Sequence, residues 1–263
     1  MSAPAGPGGA RDLGQAGLYV YGITPADVEL TGDVRGVGDP PGRIQLVRCG
    51  NLVAMVSEVD LTGTLGTPED LLAHAQILDA AAVEVPVLPL RFGTVIATKD
   101  AVAGQLLAVH QEAFAAALKR VEGRAQYVVK GRYIEQAVLA ETLAEIPEAA
   151  RLRKRIRGKD PNATRQARIR LGSIIDNAIT AKRRADTRAL GDVVAPHCVT
   201  SVVREPTHEM DAFHVALLVE IARQDDLEQA LSDLSSAWEG RIEIRLLGPQ
   251  APYDFTSTLL PPR

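Results

Sequence analysis

Apolar residues near the start of the chain come in short β-branched and aromatic runs closed by turn residues. Leu18-Tyr19-Val20-Tyr21-Gly22-Ile23 stops at Thr24-Pro25, as a strand does where Pro withdraws its N–H. Arg43 to Arg48 and Leu52 to Val56, parted by Cys49-Gly50-Asn51, predict a hairpin after a Gly/Pro/Asp loop over Gly32 to Gly42. Thr67-Pro68-Glu69-Asp70 supplies an N-cap, a Pro at the first helical position and first-turn acids. Leu71, Ala75, Leu78 and Ala82 then recur at helical spacing, so a helix is expected from Pro68 to about Ala82. Val87 to Ile96 is apolar but broken by Pro89, the mark of an edge strand. Asp100 opens a second helix with the stripe Val102, Leu106, Val109, Ala113 and Ala117, ending near Gly123.

From Gln126 the pattern restarts. Tyr127 to Ile134 reads as a strand and Glu135 to Ile146 as a helix stopped by Pro147. Cys198 to Arg204 and Ala212 to Ile221 read as strands joined by a polar turn. Asp225 to Trp238 is an amphipathic helix, and Arg241 to Leu247 makes a last strand closed by Gly248-Pro249. Residues 148–195 aside, this half runs β-α-β-β-α-β, the order of a ferredoxin-like antiparallel sandwich. The inserted residues are helical, with an apolar stripe of Leu171, Ile174, Ile175, Ala178 and Ile179. The expected fold is therefore α+β in two domains, the second a ferredoxin-like antiparallel sandwich with an inserted helical extension. It divides into a disordered leader over 1–16, an N-terminal α+β domain over 17–123, the second domain over 124–248 and a C-terminal tail over 249–263.

Length and composition permit this. A chain of 263 residues, 46% hydrophobic, has room for two cores. No apolar run approaches the ~20 residues of a membrane span, and the leader has no apolar stretch of the secretory kind, so a cytoplasmic protein is expected. The net charge of -4 conceals a polarity: residues 151–188 hold 13 Lys or Arg against three Asp, and the remainder 16 bases against 30 acids. The basic insert, including Arg183 and Arg184, reads as a solvated helical face, as a docking surface for an acidic partner, or as a nucleic-acid contact. The lack of interleaved aromatics weighs against the last.

Candidate chemistry is sparse. There is no Walker loop, no GxGxxG after a strand, no HExxH and no GxSxG. His208-Glu209 and His214 stand six residues apart across a turn and cannot share a helical face as zinc ligands. His74, His110 and His197 have no ligand-spaced companions, and Cys49 and Cys198 read as two buried thiols. Neither an enzyme nor a metal or cofactor is indicated.

Three segments, Tyr19 to Ile23, Val87 to Val95 and Leu247 to Phe255, resemble the gas vesicle GvpF/GvpL family in order and spacing. The resemblance implies an N-terminal α+β domain, a ferredoxin-like second domain with a helical extension, and a tail between them. It also implies a non-enzymatic accessory or minor structural protein located at the gas vesicle, which binds neither a lipid membrane nor nucleic acid. Its partners would be the hydrophobic shell protein and other accessory vesicle proteins. The fold alone permits another reading, a regulatory ferredoxin-like module for a small ligand or acidic partner. Arg91-Phe92-Gly93 is either a fixed turn, with Phe92 in the core, Gly93 at positive φ and Arg91 paired to a helix acid, or a partner contact. Pro252, Tyr253 and Phe255 would anchor the tail, the two rings on one side of an extended segment.

Overall fold

Nine strands and seven helices follow one another in the computed structural model, which describes residues 16–29 and 34–256. The expected leader lies outside these apart from residue 16, as do part of the first loop and the end of the tail. The described chain forms two units. The first is built from residues up to Glu122 together with those from Gln250 onward, and the second is Gly123–Pro249.

In the first unit, β1 (Ala16–Pro25), β2 (Gln45–Cys49) and β3 (Leu52–Asp60) precede α1 (Pro68–Glu84), β4 (Leu88–Pro89) and β5 (Val95–Ile96). The strands make an antiparallel sheet of order β2-β3-β1-β4, with β5 also on β1. The Val87–Ile96 segment is thus at the edge, as its Pro requires, but it is two short pieces separated by a turn and not one strand. A bulge at Tyr21 shifts the β1 register. Leu18 and Val20 face one side and Tyr19 and Tyr21 the other, and the extra residue returns Ile23 to the side of Leu18. Both faces are covered, which is why β1 is buried almost throughout.

On the Leu18 side lies the expected second helix, in altered form. A short turn, α2 (Lys99–Ala101), passes into a π-helix over Val102–Ala108, followed by α3 (Gln111–Val121). The i→i+5 winding re-phases the stripe: Val102 and Leu107 are buried five apart, then Phe114, Ala117, Leu118 and Val121, whereas Val109 is 68% exposed. On the Tyr19 side lies α1, started by a capping box between Thr67 and Asp70.

The second unit comprises β6 (Arg124–Tyr133), α4 (Glu135–Glu145), α5 (Pro147–Ile156), α6 (Arg165–Val194), β7 (Thr200–Val203), β8 (Asp211–Glu220), α7 (Gln224–Ala237) and β9 (Ile242–Gln250). Its sheet has the order β7-β8-β6-β9, and β8 runs antiparallel to both β6 and β7. Numbered within the unit this is 2-3-1-4, with the β-α-β-β-α-β succession and the helical insertion expected. The last strand continues through Gly248-Pro249 to Gln250, past its expected end. One core joins the α6 residues Ile179, Leu190 and Val194 to Tyr127, Phe213 and Leu217 of the sheet and Leu227 and Leu231 of α7. The α6 stripe therefore runs further along the helix than Leu171 to Ile179.

An ionic network completes α6. Asp186, 8% exposed, accepts from the Tyr133 hydroxyl at 2.6 Å and from both terminal nitrogens of Arg241 at 3.0 and 2.8 Å. Arg241 also donates to Glu141, and Lys182 pairs with Glu141 and Glu145. A buried carboxylate requires such partners, and removing one would strand a charge.

Candidate interaction site

The first two segments singled out in the sequence, and the third from Gln250 onward, come together in the first unit. Tyr19 and Tyr21 project from β1 with ring centroids 4.8 Å apart. His74 of α1 lies 5.7 Å from Tyr19 and 5.4 Å from Phe92, and Tyr253 of the tail lies 6.5 Å from His74. Such tilted and edge contacts add to the area the rings bury. Polar ends are paired: the Tyr19 hydroxyl is 2.9 Å from His74 Nδ1 and accepts from the Gly93 N–H at 3.1 Å. Tyr21 is 2.8 Å from Ser57 Oγ and accepts from the Val37 N–H. Burial pushes the Tyr19 pKa up to about 12 and moves His74 below the ordinary histidine value, so both stay neutral near pH 7.

Gly93 takes φ of +83°, a conformation that side chains disfavour. Gly93 thus has the backbone of the expected fixed turn, and Phe92 packs half-buried against the cluster rather than within it, but Arg91 lacks the expected helix acid. Its side chain is exposed and meets no acid among the described residues, while its carbonyl accepts from the Thr94 N–H and hydroxyl. The tail also differs from expectation. Tyr253 N–H donates to the Ala251 carbonyl and Phe255 N–H to the Pro252 carbonyl, so the segment is turned and not extended. Pro252 is buried, Phe255 is 2% exposed, and Ala251 N–H donates to Asp79 of α1 at 2.8 Å. Burial raises the Asp79 pKa, and the Ala251 bond opposes it.

Beside the cluster an apolar groove of about 460 Å³ runs along α1, floored by Ile44 and Met55 and walled by Ala73, Ile77, Ala80 and Ala81. Asp27, Glu29, Arg35 and Glu84 rim it. Pattern reading assigned the groove no role, although Ala73, Ile77 and Ala80 stand at the three- and four-residue steps of one helix face.

Arg183 and Arg184 lie in the second unit. Arg183 is not the free surface charge that the sequence suggested: it donates to the carbonyls of Asp211 and Glu209 at 2.7 and 2.8 Å. Arg184 is exposed. The residues of most consequence that pattern reading missed are Asp70, whose carboxylate accepts from the N–H of Gly38, Gly66 and Thr67, and the pair Asp186 and Arg241. Only Asp70 left a signal, as the last of the four residues of a capping box. Among the described residues no group of His, Cys, Asp and Glu could hold a metal, and no helix is long and apolar enough to cross a membrane.

Known proteins share this organisation. Gas vesicle protein F of a Streptomyces species is 29% identical over 240 residues, 90% of this chain and 98% of that protein. Gas vesicle protein L1 of Halobacterium salinarum is 27% identical over 264 residues, 91% of this chain and 90% of the relative. The crystal structure of gas vesicle protein GvpF from Anabaena superposes with a TM-score of 0.76 at 22% identity, over 92% of this chain and 98% of that one. The GvpF structure from Microcystis aeruginosa gives 0.73 at 21%, over 91% and 98%. The family profile described as gas vesicle synthesis protein GvpL/GvpF matches residues 17–257, and the chain therefore belongs to the GvpL/GvpF family.

Proposed function

We propose that the protein is an accessory or minor structural component of gas vesicle assembly that binds the hydrophobic shell protein and other accessory vesicle proteins. A subunit whose assembled form turns an apolar face to gas would aggregate unless that face were covered beforehand. The observation that carries the reading is the groove along α1, apolar in its floor and walls and charged only at its rim. It has the character of a site for an amphipathic helix, whose apolar face would lie between Ile77 and Met55 while its polar face meets the rim. Phe92, Gly93, Pro252, Tyr253 and Phe255 act in this reading as bracing: they fix α1 and the turn beside it and leave partner contact to the groove. No chemistry is required, and the work is done at the vesicle.

Capture of the shell protein tests this. Ala80 is exposed on the groove wall, so Ala80→Arg places a charge in the path of an apolar helix and leaves the core intact. Shell-protein capture from a reconstituted mixture should drop by about tenfold with melting within a few degrees of the parent. Unchanged capture would remove the groove from the mechanism, and no capture by the parent chain would remove the reading itself.

A further inference from the structure

The outer strand of the second sheet has an open edge. β7 sets Val202 opposite Ala216 and Thr200 opposite Leu218, and the Arg204 N–H donates to the His214 carbonyl at 2.8 Å. Antiparallel ladders alternate, so residues 200, 202 and 204 direct their N–H and C=O to β8, and those of Ser201 and Val203 point away from the sheet. β7 ends the strand order on that side. Ser201 is exposed and Val203 is 63% exposed.

α6 brings guanidinium groups to this edge. Arg183, Arg184 and Arg188 line with Val203 and Arg204 a cleft of about 390 Å³, in which Glu205 is the one carboxylate residue. Asp186, between the arginines on α6, has its carboxylate taken by Tyr133 and Arg241, and that of Asp211 is occupied by Thr207 and His208. Arg183 is tied to neutral carbonyls, which leave its charge uncompensated. Arg184 and Arg188 are exposed and enter no ion pair among the described residues. Guanidinium groups in this state favour carboxylates, which they grip through two parallel hydrogen bonds.

Spacing makes the match specific. Arg184 and Arg188 are four residues apart on one helix, a rise of about 6 Å. Side chains on one face of a strand recur every second residue, at about 6.6 Å. We infer that the β7 edge and the α6 arginines form a docking site for an extended acidic segment of a partner protein. The segment adds a strand beside Val203, and its carboxylates at alternate positions meet Arg184 and Arg188. Main-chain bonds to Ser201 and Val203 supply register, and the arginines select acid. A nucleic-acid strand fits less well, because base stacking needs an open ring and the two rings lining the cleft, Phe213 and His214, are 2% and 8% exposed.

The test is fluorescence anisotropy of a labelled peptide alternating Glu and Val, titrated with the full chain. Binding should weaken several-fold between roughly 50 and 300 mM salt. The Arg184→Glu, Arg188→Glu double variant should bind at least about tenfold more weakly with an unaltered melting curve. A peptide of the same composition interrupted by Pro should lose a similar factor, because it cannot add to the edge. Retained binding by the double variant or to the Pro peptide overturns the proposal, as does tighter binding of a single-stranded oligonucleotide or no binding at all. Ala80→Arg should bind the peptide as the parent does, which keeps this outcome separate from that of the groove.

Discussion

Single residues here carry loads that the local pattern does not announce. Asp70 reads in sequence as a first-turn acid, and in the structure it accepts three backbone N–H groups and so ties the Gly38 loop and the Gly66-Thr67 lead-in to the start of α1. Burial alone would raise its pKa, but the bonds from Gly38, Thr67 and Gly66 outweigh it and hold the carboxyl below the usual value. A carboxylate so depressed contributes stability above its unfolded pKa, about 3.9, and loses it as pH falls through the lower folded value. Asp70→Asn should therefore flatten the acid limb of the stability curve and cost about 1–3 kcal/mol at neutral pH. Chemical denaturation at several pH values measures both, and parallel acid limbs would refute the assignment. Two tyrosines give a contrast. The Tyr253 hydroxyl is buried with no hydrogen-bond partner among the described residues, whereas that of Tyr133 donates to Asp186. Tyr253→Phe should leave the melting temperature unchanged or raise it, while Tyr133→Phe should cost about 1–3 kcal/mol by stranding part of a buried carboxylate. The capping role of Asp70 was legible because it acts over four residues. Its bond to Gly38 was not, because no local periodicity records where a distant loop returns.

At the scale of elements, what the sequence foretold is what hydrophobic period and turn chemistry control. The Cys49-Gly50-Asn51 turn, the capped α1 and the strand succession of the second unit belong to that class. The misreadings occur where backbone geometry departs from a fixed period. The π-helix over Val102–Ala108 keeps the residue types of an α-helix while moving the buried position from Leu106 to Leu107. The tail, read as extended from the two-residue spacing of its rings, folds into a turn that buries Phe255 by another route. Strands also pair through gaps: Gly131 lies opposite Phe213, and a Cβ there would collide with that ring. Gly131→Ala should displace Phe213 from its place beside Trp238 and destabilise the protein by about 1–3 kcal/mol. Calorimetry measures the loss, and a neutral substitution would mean that the ring has room to move.

For the whole molecule the sequence disclosed the charge polarity, but not that the first unit carries a hydrophobic cluster on each face of its sheet, nor that one of them draws on the far end of the chain. Ala251 belongs to the hydrophobic cluster of Tyr19, Tyr21 and Leu78, with Tyr253 packed against it. A chain ended at Pro249 loses these contacts and should melt lower by several kcal/mol, given about 25 cal/mol per Å² and 150 to 250 Å² per ring. Thermal unfolding of this truncation should show the loss, and a parent-like curve would refute it. The same feature governs synthesis. The second unit is encoded between the body of the first and the segment that closes it. A ribosome must translate all of Gly123–Pro249 before Ala251 can reach Asp79, so α1 is braced only after the second unit has been made, and the order of translation delays the maturation of its groove.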